Sequence, residues 1–454
     1  MTNVNRGDSL TIANIINITN GKVINKVISD NLITEMKIDT RKLNEGDLFI
    51  AIKGNNYNGH DYIKQAVENK VCGIIIDEDI KIPKTKIPII KVESTYDALI
   101  LIATHIRLKH DVPLIAVTGS VGKTTTKELI YDILSNKYNV LKNIDNNNNH
   151  IGLPLTLFRL KDEHDIIVTE LGMNHFGEIK RLSNICKPNV SVITNIGTSH
   201  IGNLGSKKGI FKAKMEILDG MKKGILVING DDKYLKKVKN NKRIEIYKCG
   251  TKNNNHLKAQ NIKCYFDKTT FDVKIDGNIY EITFNVPGRH LINNVLLALQ
   301  IGIFFNVDIN DMIESIKNYQ SVDKRMSIIK LDNNITLIED CYNSSYESLI
   351  GVLELIKDVK THKLIILGDI LELGKYSRKI HLKVGKYLKK IKNSTILLVG
   401  NEINVVKKKS QHFTNNNELI DYLNNISISD TIILIKGSRR LHLEEIKAYF
   451  QKRY

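Results

Sequence analysis

The chain has 454 residues, 42% of them hydrophobic and 26% charged, material for about three domains of ordinary size. No run reaches the roughly 18 apolar residues of a membrane helix, and residues 1–10 lack the apolar stretch of a secretory signal, so a cytoplasmic protein with no integral membrane segment is expected. The net charge of +18 comes from scattered lysines, with no Trp and no recognition motif; it points to anionic nucleotides as partners and away from nucleic acid.

Taken in chain order, the pattern separates into regions expected at 1–111, 112–321 and 322–454. The first mixes short apolar strands at 47–52, 72–76 and 89–92 with a helical stretch at 98–109. The second opens on an apolar strand at 112–117 and continues through runs at 166–168, 190–194 and 225–228. Such runs alternating with helical periodicity predict a parallel sheet covered on both faces. Residues 244–285 alternate in period two around Asp276-Gly277 and predict an antiparallel insertion or flank. The third region repeats the alternation, with strands at 336–338, 364–367, 396–399 and 432–435, and predicts a Rossmann-like doubly wound sheet. The fold class is therefore α/β, with a mixed first domain, a central parallel ATPase-type sheet and a doubly wound third domain. Residues 143–149 read as an Asn-rich loop, shaped in part by compositional drift. Five cysteines, at 72, 186, 249, 264 and 341, contain no CxxC pair, which argues against a zinc ribbon or a disulfide framework.

The sharpest local feature is Thr118-Gly119-Ser120-Val121-Gly122-Lys123-Thr124-Thr125-Thr126, set between the 112–117 strand and helical spacing at 127–134. Glycines let backbone N–H groups turn in around phosphate oxygens, and the helix N-terminus adds its positive end. Lys123 is placed to reach the β and γ phosphates, and the Thr124 hydroxyl to ligate Mg²⁺. The first glycine of the common GxxxxGK[ST] spacing is Val117 here. Glu170 follows the 165–168 strand, at the end of the sheet where ligands of open α/β folds gather, and supplies the hard oxygen that Mg²⁺ needs. His200 follows the strand at 190–194. Lys214 lies in Phe211-Lys-Ala-Lys214-Met-Glu216, where spacing alone does not separate it from Lys212.

With these residues in place, the chain resembles the Mur ligase family over nearly its whole length. Asp39-Thr40-Arg41, Gly46-Asp47-Leu-Phe49 and Gly54 to Gly59-His60 match a nucleotide-sugar domain. The phosphate loop, Asn148-Asn149-His-Ile-Gly152-Leu-Pro154, Glu170-Leu-Gly172 and Gly177-Glu178 match the ATPase domain. Pro287-Gly-Arg-His290 with Asn294 matches the adenine side. In the third region the matching residues are Asp340-Cys-Tyr342-Asn343, Leu367-Gly-Asp369-Ile-Leu-Glu372-Leu-Gly374, His381 and Lys436-Gly-Ser-Arg439.

The resemblance implies ATP with two Mg²⁺ ions. Gly119, Ser120, Gly122, Lys123, Thr124 and Thr125 would hold phosphates, and Asn294, Arg325 and Asp340 would make further nucleotide contacts. Thr124 and Glu170 would serve the first metal; His200 and a Lys214 carbamylated by CO₂ would serve the second. Thr40, Arg41, His60, Asn148, Asn149, Tyr342 and Asn343 would bind substrate. It further implies UDP-N-acetylmuramoyl-tripeptide as acyl donor, D-alanyl-D-alanine as acceptor, a site completed by domain closure, and a monomer. The chain departs from the family at Leu291, usually Asn, and at Ser344-Ser345-Tyr346, which lacks the usual Asn-Pro. Those departures motivate an alternative, a ligase of this type with another peptide substrate or acceptor. A nucleotide-binding regulator without turnover is a second alternative, against which Lys123, Glu170, His200 and Lys214 argue.

Overall fold

The computed structural model describes residues 10–27, 30–81, 83–144, 146–321, 326–406 and 410–454. Strands β1 (Lys22–Val23), β2 (Met36–Lys37), β3 (Leu48–Ile50), β4 (Gly73–Ile76) and β5 (Ile89–Lys91) form the first sheet. Their order is β1-β5-β4-β3-β2, and every pairing is parallel except β1 with β5. Phe49, Ile74 and Ile76 on one face close over the helix Ile63–Glu68. Leu48, Ile50 and Ile75 on the other face join the main core with the helices Ile12–Thr19 and Thr95–Lys109. That second helix starts three residues before the expected 98, because Ser94 caps it by accepting the Asp97 N–H at 3.1 Å.

The central sheet has nine strands: β6 (Leu114–Thr118), β7 (Val140–Lys142), β8 (Ile166–Glu170), β9 (Val190–Ile193), β10 (Gly224–Asn229), β11 (Ile244–Gly250), β12 (Leu257–Cys264), β13 (Thr269–Ile275) and β14 (Asn278–Phe284). Their order is β14-β13-β12-β11-β10-β9-β6-β8-β7. β6 begins at Leu114 and not at 112, since Pro113 has no N–H to give a ladder. The chain leaves β6 for one side of the sheet and returns to its other side with β9, so the strand order reverses at β6.

The expectation for 244–285 holds for β12 to β14, which are antiparallel around a turn with positive φ at Asp276 and Gly277. It fails for 244–250. β11 runs parallel to β10 and continues the main sheet. Alternation along a strand reports its two faces, not the direction of its neighbour; the connection 230–243 is long enough for a parallel crossover.

The third sheet comprises β15 (Ser327–Leu331), β16 (Ile335–Glu339), β17 (His362–Gly368), β18 (Ser394–Val399), β19 (Ser410–Phe413) and β20 (Thr431–Lys436), in the order β15-β16-β20-β17-β18-β19. All pairings are parallel except β15 with β16. Alternate residues supply separate cores: Leu337, Ile366, Leu397 and Ile433 pack on the side of the helices Asn416–Asn424 and Glu444–Arg453. Ile338, Ile365, Leu398 and Leu434 pack on the side of Tyr346–Ile356 and Ser377–Leu388. Helices on both faces make this sheet doubly wound. Among the described residues no helix is long and apolar enough to cross a membrane.

Candidate active site

The carboxyl end of β6 opens at the reversal of strand order, where open α/β sheets form crevices. The chain turns there through Gly119 and Gly122 into the helix Lys123–Leu134. Gly122 has φ +83°, and a Cβ on it would stand 2.5 Å from Oδ1 of Asn294, a buried residue of the helix Ile292–Phe304. Only glycine meets both conditions. At Gly119 a Cβ would stand 1.8 Å from Thr194 Oγ1. The turn is braced from the end of β9: Ser120 N–H donates to Asn195 O at 3.1 Å, Val121 N–H to Asn195 Oδ1 at 3.1 Å, and Thr194 Oγ1 to Val121 O at 2.5 Å. A helix start leaves its first N–H groups without intrahelical acceptors, the arrangement that suits an anion.

Glu170, the last residue of β8, is 3% exposed. Thr124 Oγ1 donates to its Oε2 at 2.5 Å and Asn148 Nδ2 to its Oε1 at 2.9 Å. Its own N–H donates to Oδ1 of the buried Asn143 at 2.9 Å, and Lys127 Nζ anchors Asn143 O at 2.9 Å. Two residues of the Asn-rich loop, Asn143 and Asn148, therefore strap Glu170 in place. Asn149 has a different role: its Oδ1 accepts the N–H groups of Ile151 and Gly152 at 3.0 and 2.9 Å and caps the next helix.

Lys214, on the helix Lys207–Met215, is 2% exposed. Burial, then the neighbouring Lys123 charge, hold its amine well below the usual lysine range, opposed by the Glu170 carboxylate. Among the described residues the amine has no hydrogen bond or ion pair. Lys212, which spacing could not separate from it, is left on the exposed side of the helix. His200 caps the helix Ile201–Leu204 with φ +61°, and its Nδ1 meets Glu372 Oε2 at 2.6 Å. That contact first, and the charge of His200 with it, holds the Glu372 carboxyl below its ordinary value against burial.

The opposite wall comes from the third sheet. Asp340 follows β16, and Lys436 ends the adjacent β20. Lys436, 1% exposed, donates to Asp340 Oδ2 at 2.5 Å, Asp340 O at 3.3 Å and Asn343 O at 3.2 Å. Tyr342 bonds through its hydroxyl to Asn146, and the Arg439 guanidinium lies 5.3 Å from its ring centroid. The His290 imidazole is pushed down to about 4 by burial, with Asp340 pulling up and Lys436 pushing down. Its Nδ1 is closed to solvent and, among the described residues, unpaired.

These walls enclose a cavity of about 860 Å³. The phosphate turn from Ser120 to Thr125, Asn148, Asn149, Glu170, His200, Asp340, Tyr342 and Asn343 line it together with His290 and Lys436. Asn294 lies against Gly122, and Asn294, Gly119 and Lys214 are not among the residues that line the cavity. Arg325 lies outside the described residues. Thr40, Arg41 and His60 do not line it: Thr40 Oγ1 donates to Gln65 Oε1 at 2.7 Å, and the exposed Arg41 pairs with Asp39 at 2.8 Å. His60 is buried, with Nδ1 2.8 Å from Asn58 Oδ1 and Nε2 accepting the Asp77 N–H at 3.2 Å.

The donor set suits a magnesium nucleotide. Glu170 and Thr124 offer adjacent hard oxygens at the foot of the phosphate turn, and Mg²⁺ characteristically takes one or two carboxylates with phosphates and water. Among the described residues no group of three or more His, Cys, Asp or Glu is arranged for a metal, so nucleotide oxygens would complete the shell. Lys436 and Glu372 lie in motifs of the family resemblance, but neither their spacing nor their residue type indicates the partners Asp340 and His200 that the fold gives them. Asn143 opens the Asn-rich loop but nothing local sets it apart from its neighbours as the partner of Glu170, and nothing local marks Glu347.

Three family descriptions match in succession: the Mur ligase family catalytic domain over 32–107, the Mur ligase middle domain over 117–302, and the Mur ligase glutamate ligase domain over 324–439. The chain is 32% identical to the UDP-N-acetylmuramoyl-tripeptide–D-alanyl-D-alanine ligase of Bacillus subtilis, covering 96% of this chain and 97% of that one. Against the enzyme of the same name from Escherichia coli it is 30% identical over 98% and 99%. Its fold is similar to MurF from Acinetobacter baumannii, with a TM-score of 0.90 at 27% identity over 98% of this chain and 100% of that one. It is also similar to the MurF ligase of Thermotoga maritima solved with ADP, with a TM-score of 0.83 at 25% identity over 94% and 99%.

Proposed function

The chain belongs to the Mur ligase family, and from that premise we propose that it joins D-alanyl-D-alanine to UDP-N-acetylmuramoyl-tripeptide with ATP. The reading is carried by one observation: a single cavity holds the phosphate turn, the Thr124–Glu170 pair and the Asp340–Lys436 wall of the third sheet. The names of the relatives supply the two substrates. Residues 1–111 are assigned to the UDP-sugar end, 112–321 to ATP, and 322–454 to closing the site.

A carboxylate resists attack by an amine, so it is first activated. The terminal carboxylate of the peptide takes the γ-phosphoryl group of ATP, giving an acyl phosphate and ADP. The neutral amine of the dipeptide adds to the acyl carbon; the tetrahedral species expels phosphate, and one proton is released as the amide forms. Lys123 and the N–H groups of the turn hold the phosphates in line, so most of the catalysis is positioning and charge neutralisation. Thr124 and Glu170 would hold the first Mg²⁺, which would neutralise the phosphate charge that builds up in the transfer. His200 would serve a second ion with Lys214. A buried amine held below the usual lysine range adds CO₂ with loss of a proton and becomes an anionic carbamate, a change that would make Lys214 an oxygen ligand.

The test is turnover by the purified chain with ATP, Mg²⁺ and the UDP-tripeptide. D-alanyl-D-alanine is expected to raise phosphate release and to yield a UDP-pentapeptide by mass. Release indifferent to this dipeptide but stimulated by another amine would reassign the acceptor. For the carbamate, a ¹³C-bicarbonate NMR signal in the wild type that is missing in Lys214→Met is expected; no such signal in the wild type refutes it.

A further inference from the structure

The brace behind the phosphate turn is itself gripped from the third region. Glu347 lies in the first turn of the helix Tyr346–Ile356. Its Oε2 accepts the N–H of Thr198 at 2.9 Å and the Thr198 hydroxyl at 2.7 Å, while its Oε1 accepts Lys207 Nζ at 2.9 Å. Gly197 sits between this carboxylate and the phosphate turn. A Cβ there would stand 2.9 Å from Glu347 Oε2 and 3.0 Å from Ser120 Cβ. The Gly197 N–H donates to Ser120 Oγ at 2.9 Å, and Ser199 Oγ donates to Ser120 O at 3.1 Å. A few residues further on the same segment is held again, where the Gly202 N–H donates to Glu372 O at 3.1 Å.

An isolated ion pair between mobile surface side chains contributes little. Here three donors converge on one carboxylate, and one of them is backbone of the very loop that fixes Ser120. We propose that Glu347 is a positioning residue: docked against Thr198 and Lys207, it holds the 197–199 loop against Ser120 and sets the phosphate turn for transfer only when the third region is in place. Glu347 touches neither nucleotide nor peptide in this scheme. It acts through Thr198, Gly197 and Ser120, so the geometry of the phosphate turn depends on a residue distant from it in sequence.

The inference rests on the ligase reading for its turnover assay but not for its structural one. In the full chain, Glu347→Ala is expected to lower kcat roughly 10- to 100-fold, losing charge-assisted bonds formed in the docked state. The affinity for a non-hydrolysable ATP analogue alone should stay within about twofold. Glu347→Gln, which keeps an acceptor for Thr198, should recover part of the loss. X-ray scattering with the analogue, Mg²⁺ and the UDP-tripeptide should show a compact wild type and a more extended Glu347→Ala. Unchanged kcat and scattering in Glu347→Ala would overturn the proposal. So would a kcat loss matched by an equal loss of binary nucleotide affinity, which marks a general structural defect. If the wild type forms no amide product, the ligase reading fails, and the scattering comparison still decides the role of Glu347.

Discussion

Replacing Lys436 by methionine keeps an unbranched side chain of similar volume and removes its charge, which isolates the ion pair that joins β16 to β20. The ammonium is 1% exposed and the Asp340 side chain 12% exposed, so water reaches neither readily. In the wild type Lys436 serves one carboxylate oxygen and two backbone carbonyls. The variant leaves Asp340 as a nearly buried anion without its cation, a loss of about 3–5 kcal/mol in comparable cases. With a urea dependence of about 2 kcal/mol per molar, the third region should unfold on the order of 2 M earlier. Hydrogen exchange of peptides covering β16 and β20, followed along a urea series, reads that region separately from the other two. A shift below about 0.5 M would mean that the pair contributes no more than an exposed one, against its burial. Adding Asp340→Asn should recover much of the loss, because no charge is then left stranded; a double variant no better than Lys436→Met would refute the reasoning.

His290 titrates near 4 in the folded chain against an ordinary value of 6.5, so between these values the unfolded state binds more protons. Stability is therefore expected to fall as pH drops from 6.5 through 4, by up to about 3 kcal/mol; urea midpoints at pH 7 and 4.5 should differ less in His290→Gln than in the wild type. Gly122→Ala places a side chain at φ +83° and against Asn294; ADP affinity by calorimetry should drop at least tenfold with the other two regions still folded, and unchanged affinity would refute the proposed fit of the turn. Arg107 is 6% exposed and donates to Cys186 O at 2.8 Å and Asn189 Oδ1 at 3.2 Å, tying the helix Thr95–Lys109 to the central sheet. Arg107→Met should cost about 1–3 kcal/mol by leaving Cys186 O without this donor, while Asn189 Oδ1 keeps the Leu114 N–H at 2.9 Å, seen as a lower thermal midpoint for the central region.

Much of the architecture was legible because it is local. The apolar runs that became β4, β6, β8, β9, β17, β18 and β20 are buried on both faces, and such strands announce themselves as unbroken runs of Ile, Leu and Val. Short edge strands such as β1, β2 and β7 carry too few residues to show a period. β15 escaped for a related reason: its hairpin turns at Asn333 and Asn334, both at positive φ, without the glycine that usually marks such a turn. The direction of β11 was misread because its alternation is the same for a parallel and an antiparallel neighbour.

The site divides along the same line. The phosphate turn is a strand, two glycines and a helix start in unbroken succession, so its geometry follows from neighbours in the chain, and its sequence alone was enough to indicate a phosphate ligand. Lys214 and Lys212 share a helix and a residue type; only the packing of that helix onto the helices Glu178–Cys186 and Ile201–Leu204 buries one and leaves the other at the surface. Asn143, Lys436 and Glu347 are ordinary polar residues until the fold brings Glu170, Asp340 and Thr198 to them. His60 shows the converse, a motif histidine whose ring nitrogens are occupied inside the first region. Backbone hydrogen bonding and hydrophobic period are properties of adjacent residues and can be read along the chain. The partner of a lone buried charge is set by which distant strands end side by side, and that only the tertiary structure decided.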